Sequence, residues 1–176
     1  MVPVIIDRYL LAQQPVRSKQ TIAWYEKRLR PLRDLSKPLA LITLDDLRRT
    51  YGQLASRQTK YTNHPSGRAV VHEALSPATL RGYVRAWRAF FNWCLDENLI
   101  GLSPARKLPL PRVPKQPPKA ISRTDLDRIL DAARLSSSRD YAIVLLLADS
   151  ACRVGGLCAI TLDNLDLDGH QAVVTS

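Results

Sequence analysis

One arginine in the second half of the chain stands where it could hold a phosphate. Arg153 follows an apolar run at residues 141–148, has small residues before it, and is followed by Gly155 and Gly156. A guanidinium binds phosphate oxygens through paired hydrogen bonds, and small neighbours leave room for the anion. The pattern therefore favours a phosphate-binding role for Arg153; the alternative is a surface or capping arginine.

A row of polar side chains follows one face of a long predicted helix at residues 77–97. At about 100° per residue, Arg81, Arg85, Arg88 and Asn92 fall within roughly 60° of one another. The opposite face is aromatic and apolar, with Leu80, Tyr83, Val84, Trp87, Phe90, Phe91, Cys94 and Leu95. Arginine donates to phosphate and to guanine, and asparagine pairs with adenine. The row predicts a DNA-binding face; the alternative is a solvated charged face.

Two further groups of residues are candidate DNA contacts. Lys19 and Thr21 stand with Ser18 at the predicted start of a helix, where free backbone N–H groups favour phosphate. Ordinary capping by Ser18 explains the same residues equally well. Arg112 and Lys115 lie in a proline-rich basic stretch that can follow a polyanion.

Charge divides the chain into two parts. Residues 1–119 contain 21 basic and 8 acidic side chains, a net charge of +13, whereas residues 120–176 contain 5 and 8, a net charge of −3. This asymmetry predicts two modules, the first with an acidic polymer as partner. Nucleic acid is the first candidate, and an anionic membrane surface is the second.

The chain shows no pattern of a metal site, a disulfide framework or a membrane segment. Its three cysteines have no CxxC spacing and form no cluster with the histidines. We therefore expect inert cysteines, no metal and no cofactor. The longest apolar run has eight residues and the N-terminus lacks a secretory signal pattern, so we expect a cytoplasmic protein without a membrane partner.

The predicted elements are mostly helices. In the first module, Ser18, Thr43 and Ser76 are predicted N-caps, and the predicted helices cover residues 4–13, 19–33, 44–57 and 77–97. A loop is expected at residues 58–76. Six prolines between residues 104 and 118 predict an extended linker.

The second module begins with a helix capped by Ser122 and continues with helices at residues 139–149 and from residue 154. The pair Asp168-Gly169 predicts a turn before a strand at residues 171–175. We expect no partner strand for it within the chain.

Three segments resemble the tyrosine recombinase family, the phage integrases and related site-specific DNA recombinases. Residues 75–104 resemble the last long helix and exit of the family's core-binding domain. Residues 121–130 resemble the first catalytic-domain helix, and residues 139–167 the helix pair that carries the first catalytic arginine.

The resemblance implies a mainly α fold in two domains joined by an extended linker, which together clamp duplex DNA. Residues 1–107 would form a helical core-binding (SAM-like) bundle and residues 108–119 the linker. Residues 120–176 would form an incomplete α+β catalytic domain with one or two short strands. The full-length parent is expected to assemble as a tetramer on DNA.

The resemblance also implies DNA cleavage and rejoining through a phosphotyrosyl intermediate, without a metal or cofactor. Arg153 would be catalytic, holding the phosphate oxygens as charge develops. Gly156 occupies the position where the family usually has an acidic residue.

The 176 residues contain no His-x-x-Arg, and all six tyrosines precede Arg153. We therefore expect this chain to bind DNA without cutting it. One alternative is a stand-alone DNA-binding regulator or competitor at recombination sites. A more remote one is a basic helical adaptor for an acidic protein or a membrane surface.

Overall fold

The computed structural model describes residues 1–59, 69–114, 117–118, 120–166, 168–169 and 171–174. The chain divides into two compact units, Met1–Lys115 and Gln116–Ser176. The described part contains seven α-helices and one two-stranded antiparallel sheet. The predicted mainly α fold class with one or two short strands is therefore confirmed.

Three of the four helices described in the first unit begin where the sequence places their caps, whereas the first begins at Val2, two residues before its predicted start. Ser18 accepts a hydrogen bond from the Thr21 backbone at 3.3 Å, and Ser76 accepts one from the Thr79 backbone at 3.2 Å. Thr43 forms a reciprocal capping box with Asp46. The helices are α1 (Val2–Gln13), α2 (Lys19–Arg33), α3 (Leu44–Ala55) and α4 (Pro77–Asp96).

The apolar face of α4 contributes more buried hydrophobic residues to the core of the first unit than any other helix described. Trp87, Phe90 and Phe91 are its largest fully buried side chains. The Tyr9 ring of α1 makes edge-on contacts with Phe90 and with Trp93 at centroid distances of 5.6 and 5.4 Å. The predicted core face of α4 is thus largely right.

Two members of that predicted face are less buried than expected. Leu95 is 39% exposed and Leu80 is half-buried. Leu95 lies at the margin of the apolar arc, and Leu80 lies in the first turn of α4. Instead, Gly82 and Ala86 are buried, which widens the packed face of the helix.

The second unit contains α5 (Arg123–Ser136), α6 (Ser138–Ser150) and α7 (Val154–Cys158), followed by β1 (Leu165–Asp166) and β2 (Gln171–Ala172). The two strands pair antiparallel, with Leu165 opposite Ala172. The expectation that the second strand has no partner was therefore wrong. An Asp-Gly pair is typical of a hairpin turn, which connects two strands. The residues just before this turn form the strand that we did not expect.

The second unit has a thin core. Ala133 is its only buried hydrophobic residue among those that the structure describes, and Leu145 of α6 is 44% exposed. Arg134 of α5 contacts Tyr141 of α6. Its guanidinium lies 4.7 Å from the Tyr141 ring centroid and donates to the Tyr141 hydroxyl at 2.8 Å. None of the helices described in either unit combines the length and apolar character that crossing a bilayer requires.

Candidate nucleic-acid interface

The exposed face of α4 carries unpaired cations. Arg81, Arg85 and Asn92 are all exposed, whereas the aromatic side chains of the same helix are buried on its other side. No carboxylate in the described part of the chain forms an ion pair with Arg81 or Arg85. These two guanidinium groups therefore present their donors to solvent, as a phosphate-binding surface requires.

Arg88 has a different environment from the other arginines of this row. It is half-buried, and its Nη2 donates to the backbone oxygen of Leu108 at 2.6 Å and to that of Arg106 at 3.5 Å. Ala105 and Leu108 are buried, which draws the segment after α4 against the helix. Arg88 thus binds the backbone of its own chain, and its predicted contact with DNA stays a prediction.

Arg28 of α2 lies at the border between α2 and α4, and we did not select it from the sequence. Its guanidinium stacks 4.1 Å from the Trp24 ring centroid, and its Nη1 donates to the Trp24 backbone oxygen at 3.3 Å. The Trp87 indole donates to the Arg28 backbone oxygen at 2.9 Å. The only sequence signal was the four-residue spacing between Trp24 and Arg28, which puts both on one helix face.

The Arg28 guanidinium also has unusual electrostatics. Its Nε is buried, and no residue in the described ranges accepts a hydrogen bond from it. Partial burial lowers the pKa of Arg28 from its usual value, and the nearby Tyr83 partly opposes that change. Partial burial of a cation without a carboxylate partner costs solvation free energy. A bound anion would offset that cost.

At the start of α2, Thr21 takes part in capping by Ser18, whereas Lys19 does not. The Ser18 hydroxyl accepts the Thr21 backbone N–H and lies 3.0 Å from the Thr21 hydroxyl. Lys19 is exposed. Ordinary capping is therefore present here, and DNA contacts by Lys19 and Thr21 stay predictions.

The two predicted DNA contacts in the basic stretch after α4 are Arg112 and Lys115. Arg112 is exposed. Lys115 lies outside the described residues. A DNA contact by either stays a prediction.

Arg153 occupies an open position in the second unit. It is the exposed N-cap residue of α7, with extended backbone angles of −73° and 150°, and its side chain bonds no residue in the described part of the unit. Ala151 ends α6 with a left-handed φ of 50°, which redirects the chain just before Arg153. The side chain is thus free to bind an anion, and its catalytic role stays a prediction.

A shallow concavity of about 390 Å³ surrounds Arg153, lined also by Ala151, Cys152, Gly156 and Val174. None of these five residues carries a carboxylate. Gly156, at the position where the family usually has an acidic residue, is buried beside the arginine. The lining of the hollow is therefore cationic, whereas Asp149 and Asp166 line an adjoining concavity that shares Val174.

Within the described ranges, no three His, Cys, Asp or Glu side chains converge as metal ligands would. The Cys94 thiol is buried in the first-unit core, and this burial raises its pKa to about 12. A thiol with so high a pKa is a poor nucleophile at neutral pH.

Sequence relatives of the chain are tyrosine recombinases. It is 37% identical over 100 residues to Tyrosine recombinase XerA of Thermococcus kodakarensis, covering 56% of this chain and 33% of the relative. It is 29% identical over 171 residues to Tyrosine recombinase XerC of Alcanivorax borkumensis, covering 94% of this chain and 50% of the relative. The chain thus spans a third to a half of these curated relatives. No protein-family model matches it.

The fold is similar to that of a solved integrase. A lambda integrase(75-356) dimer bound to a COC' core site matches with a TM-score of 0.69 at 16% identity, over 93% of this chain and 55% of that chain. At this identity the likeness concerns the fold alone. The sequence relatives and the fold agree, and both support membership of this chain in the tyrosine recombinase family.

Proposed function

We propose that this chain binds duplex DNA through the exposed face of α4, and that it does so as part of a site-specific recombinase. Three observations support the proposal: the basic first part of the chain, the relatives named tyrosine recombinases, and the fold shared with an integrase. Phosphate neutralisation by Lys and Arg supplies most of the non-specific affinity of such proteins.

The observation that carries the proposal is that Arg81 and Arg85 lie unpaired on one face of α4 together with the exposed Asn92. Arg30 and Arg49 are likewise exposed without an ion pair among the described residues, whereas Arg8 pairs with Glu97 at 2.7 Å and Arg48 with Asp45 at 3.0 Å. A merely solvated helix face usually mixes charges in this way. The α4 face has no acidic side chain from Arg81 to Asn92, and a partner with many negative charges would complete it.

In the proposed reaction, the second unit contributes Arg153. Its guanidinium would bind the non-bridging oxygens of the scissile phosphate and stabilise the charge that develops there. The nucleophilic tyrosine of the family's reaction is not supplied by these 176 residues, whose tyrosines all precede Arg153. A protein of these residues alone is therefore proposed to bind DNA without cleaving it.

A second candidate is a non-catalytic DNA-binding competitor or regulator at recombination sites. Gly156 favours this candidate, because the hollow around Arg153 lacks the acidic residue expected beside the family's first arginine. Both candidates need the same DNA-binding face. They differ in whether the intact source protein exchanges strands, which a recombination assay on that protein decides.

DNA binding is tested by measuring the dissociation constant for a duplex at about 50 and 200 mM salt. We expect wild-type affinity to fall steeply with salt, and the Arg81→Ala/Arg85→Ala variant to bind roughly 10- to 100-fold more weakly at low salt. The matched control is Arg123→Ala/Arg128→Ala, which removes two exposed arginines from the acidic second unit. Equal affinity of wild type and the α4 variant would contradict the proposal.

A further inference from the structure

Arg28 is held rigidly beside the proposed DNA-binding face. Its guanidinium is stacked on Trp24 and hydrogen-bonded to the Trp24 backbone, so its position is fixed by its own helix. On its other side it lies against Gly82 of α4. Gly82 directly follows Arg81, and Arg85 lies one turn further along α4, only about 60° from Gly82 around the helix.

The geometry of Gly82 allows this close approach. A Cβ atom on Gly82 would lie 2.7 Å from the Arg28 Nε and 3.4 Å from its Nη2. Only atoms of the Arg28 side chain come that close. The missing side chain at position 82 therefore creates the space in which the guanidinium sits between the two helices.

The Arg28 guanidinium retains donors that the protein does not use. Its Nη1 is bonded to Trp24 and its Nε is buried against Gly82, whereas Nη2 donates to no residue that the structure describes and is the donor left for an anion. No described carboxylate pairs with it either. Such a fixed, partly desolvated cation is preorganised for an anion, because little side-chain entropy remains to be lost on binding.

We propose that Arg28 is a further DNA-binding residue that contacts a backbone phosphate next to those bound by Arg81 and Arg85. The inference rests on the proposed DNA-binding function of α4. A phosphate is favoured over a base edge because the guanidinium is half-buried and stacked on Trp24, so it does not project far from the protein surface. Phosphates are the outermost groups of the duplex, and contacts to them are independent of base sequence.

Two variants test this contact in different ways. Arg28→Gln removes the charge, and Gly82→Ala keeps the charge but displaces the guanidinium. The matched control is Gly52→Ala, because Gly52 is an exposed helical glycine of α3 with nothing within 4 Å of an added Cβ. Affinity is measured for three duplexes of unrelated sequence over a range of salt concentrations, and folding is checked by thermal unfolding.

We expect Arg28→Gln to bind roughly fivefold to tenfold more weakly to all three duplexes and to reduce the salt slope by about one. Gly82→Ala is expected to weaken binding several-fold without loss of thermal stability, whereas Gly52→Ala binds as wild type does. If Arg28→Gln fails to fold, the DNA affinity of Gly82→Ala alone decides whether Arg28 contacts a phosphate.

Three results would overturn the inference. Wild-type affinity in both Arg28→Gln and Gly82→Ala, with weak binding by Arg81→Ala/Arg85→Ala, would refute the Arg28 contact and leave the proposed function intact. A loss confined to one duplex sequence would mean base recognition instead of phosphate binding. Absence of salt-dependent binding by the wild type would refute the proposed function and this inference with it.

Discussion

The Nη2 of Arg88 donates a 2.6 Å hydrogen bond to the backbone oxygen of Leu108, and thereby fastens the segment that leaves α4 to the helix itself. Arg85, three residues earlier on the same face, is exposed and has no acidic partner in the described part of the chain. Two arginines that the sequence places in one row therefore have different surroundings. One holds the protein's own backbone, and the other is open to a partner.

Replacing Arg88 with alanine should destabilise the first unit. The change leaves the carbonyl groups of Arg106 and Leu108 without their donor and loosens a segment whose Ala105 and Leu108 are buried. We expect a loss of about 1–3 kcal/mol in the free energy of unfolding, measured by urea denaturation. Trypsin should also cut faster after Arg106 and Lys107.

The matched control for Arg88→Ala is Arg85→Ala. Because Arg85 is exposed, its removal should change the free energy of unfolding by less than about 0.5 kcal/mol. It should nevertheless weaken DNA binding. Equal stability losses in the two variants, or unchanged tryptic cleavage in Arg88→Ala, would show that the Arg88–Leu108 hydrogen bond does not fix the segment.

Asp46 should make the stability of the first unit depend on acid pH. A hydrogen bond from Lys37 at 2.7 Å, with further bonds from the Thr43 backbone and hydroxyl, holds the pKa of Asp46 well below its usual range. Because the folded-state pKa is below the unfolded one, this stabilisation is complete above the unfolded pKa of about 3.9 and is lost as pH falls below it.

Asp46→Asn tests this dependence by thermal unfolding at several pH values. We expect the variant to unfold several degrees below wild type at neutral pH, with the difference shrinking as the pH approaches 3. Asp45→Asn is the control, because Asp45 is exposed and, among the described residues, its side chain pairs only with Arg48. A difference between wild type and Asp46→Asn that stays constant from pH 7 to 3 would contradict the assignment.

Arg153→Ala should leave folding unaffected. The arginine is exposed and bonds no residue in the described ranges, so we expect a change of less than about 0.5 kcal/mol in the free energy of unfolding. The affinity for duplex DNA that α4 provides should remain, and a binding titration of the variant measures it. A large loss of stability would show that Arg153 has a structural role.

A protein of these 176 residues should form no covalent complex with a nicked suicide DNA substrate. Its tyrosines precede Arg153, and none stands where the family's nucleophile is expected. Denaturing gel electrophoresis, with a full-length recombinase as positive control, detects any adduct. A band that survives denaturation would mean that one of these tyrosines is a nucleophile.

The two units should differ in local stability. The first unit buries Trp87, Phe90 and Phe91 completely, whereas Ala133 is the only buried hydrophobic residue described in the second. Because little apolar area is buried there, we expect amide hydrogens of α5 and α6 to exchange much faster than those of α4. Hydrogen-exchange mass spectrometry measures the difference, and equal protection of these helices would contradict it.

The sequence by itself determined the local structure. Ser18, Thr43, Ser76 and Ser122 were readable as caps because a side chain bonds a backbone group only three residues away. The aromatic face of α4 was readable because burial follows the helical period. For the same reason the exposed positions of Arg81, Arg85 and Asn92 could be predicted without a tertiary structure.

Only the tertiary structure decided which of these cations are free. The partner of Arg88 is 20 residues away, and the surroundings of Arg28 include Gly82, which is 54 residues away. The partner of β2 was also missed, because Leu165–Asp166 is too short to show a strand pattern. These relationships depend on how separate segments pack, and a helical period or a local hydrogen bond carries no information about that.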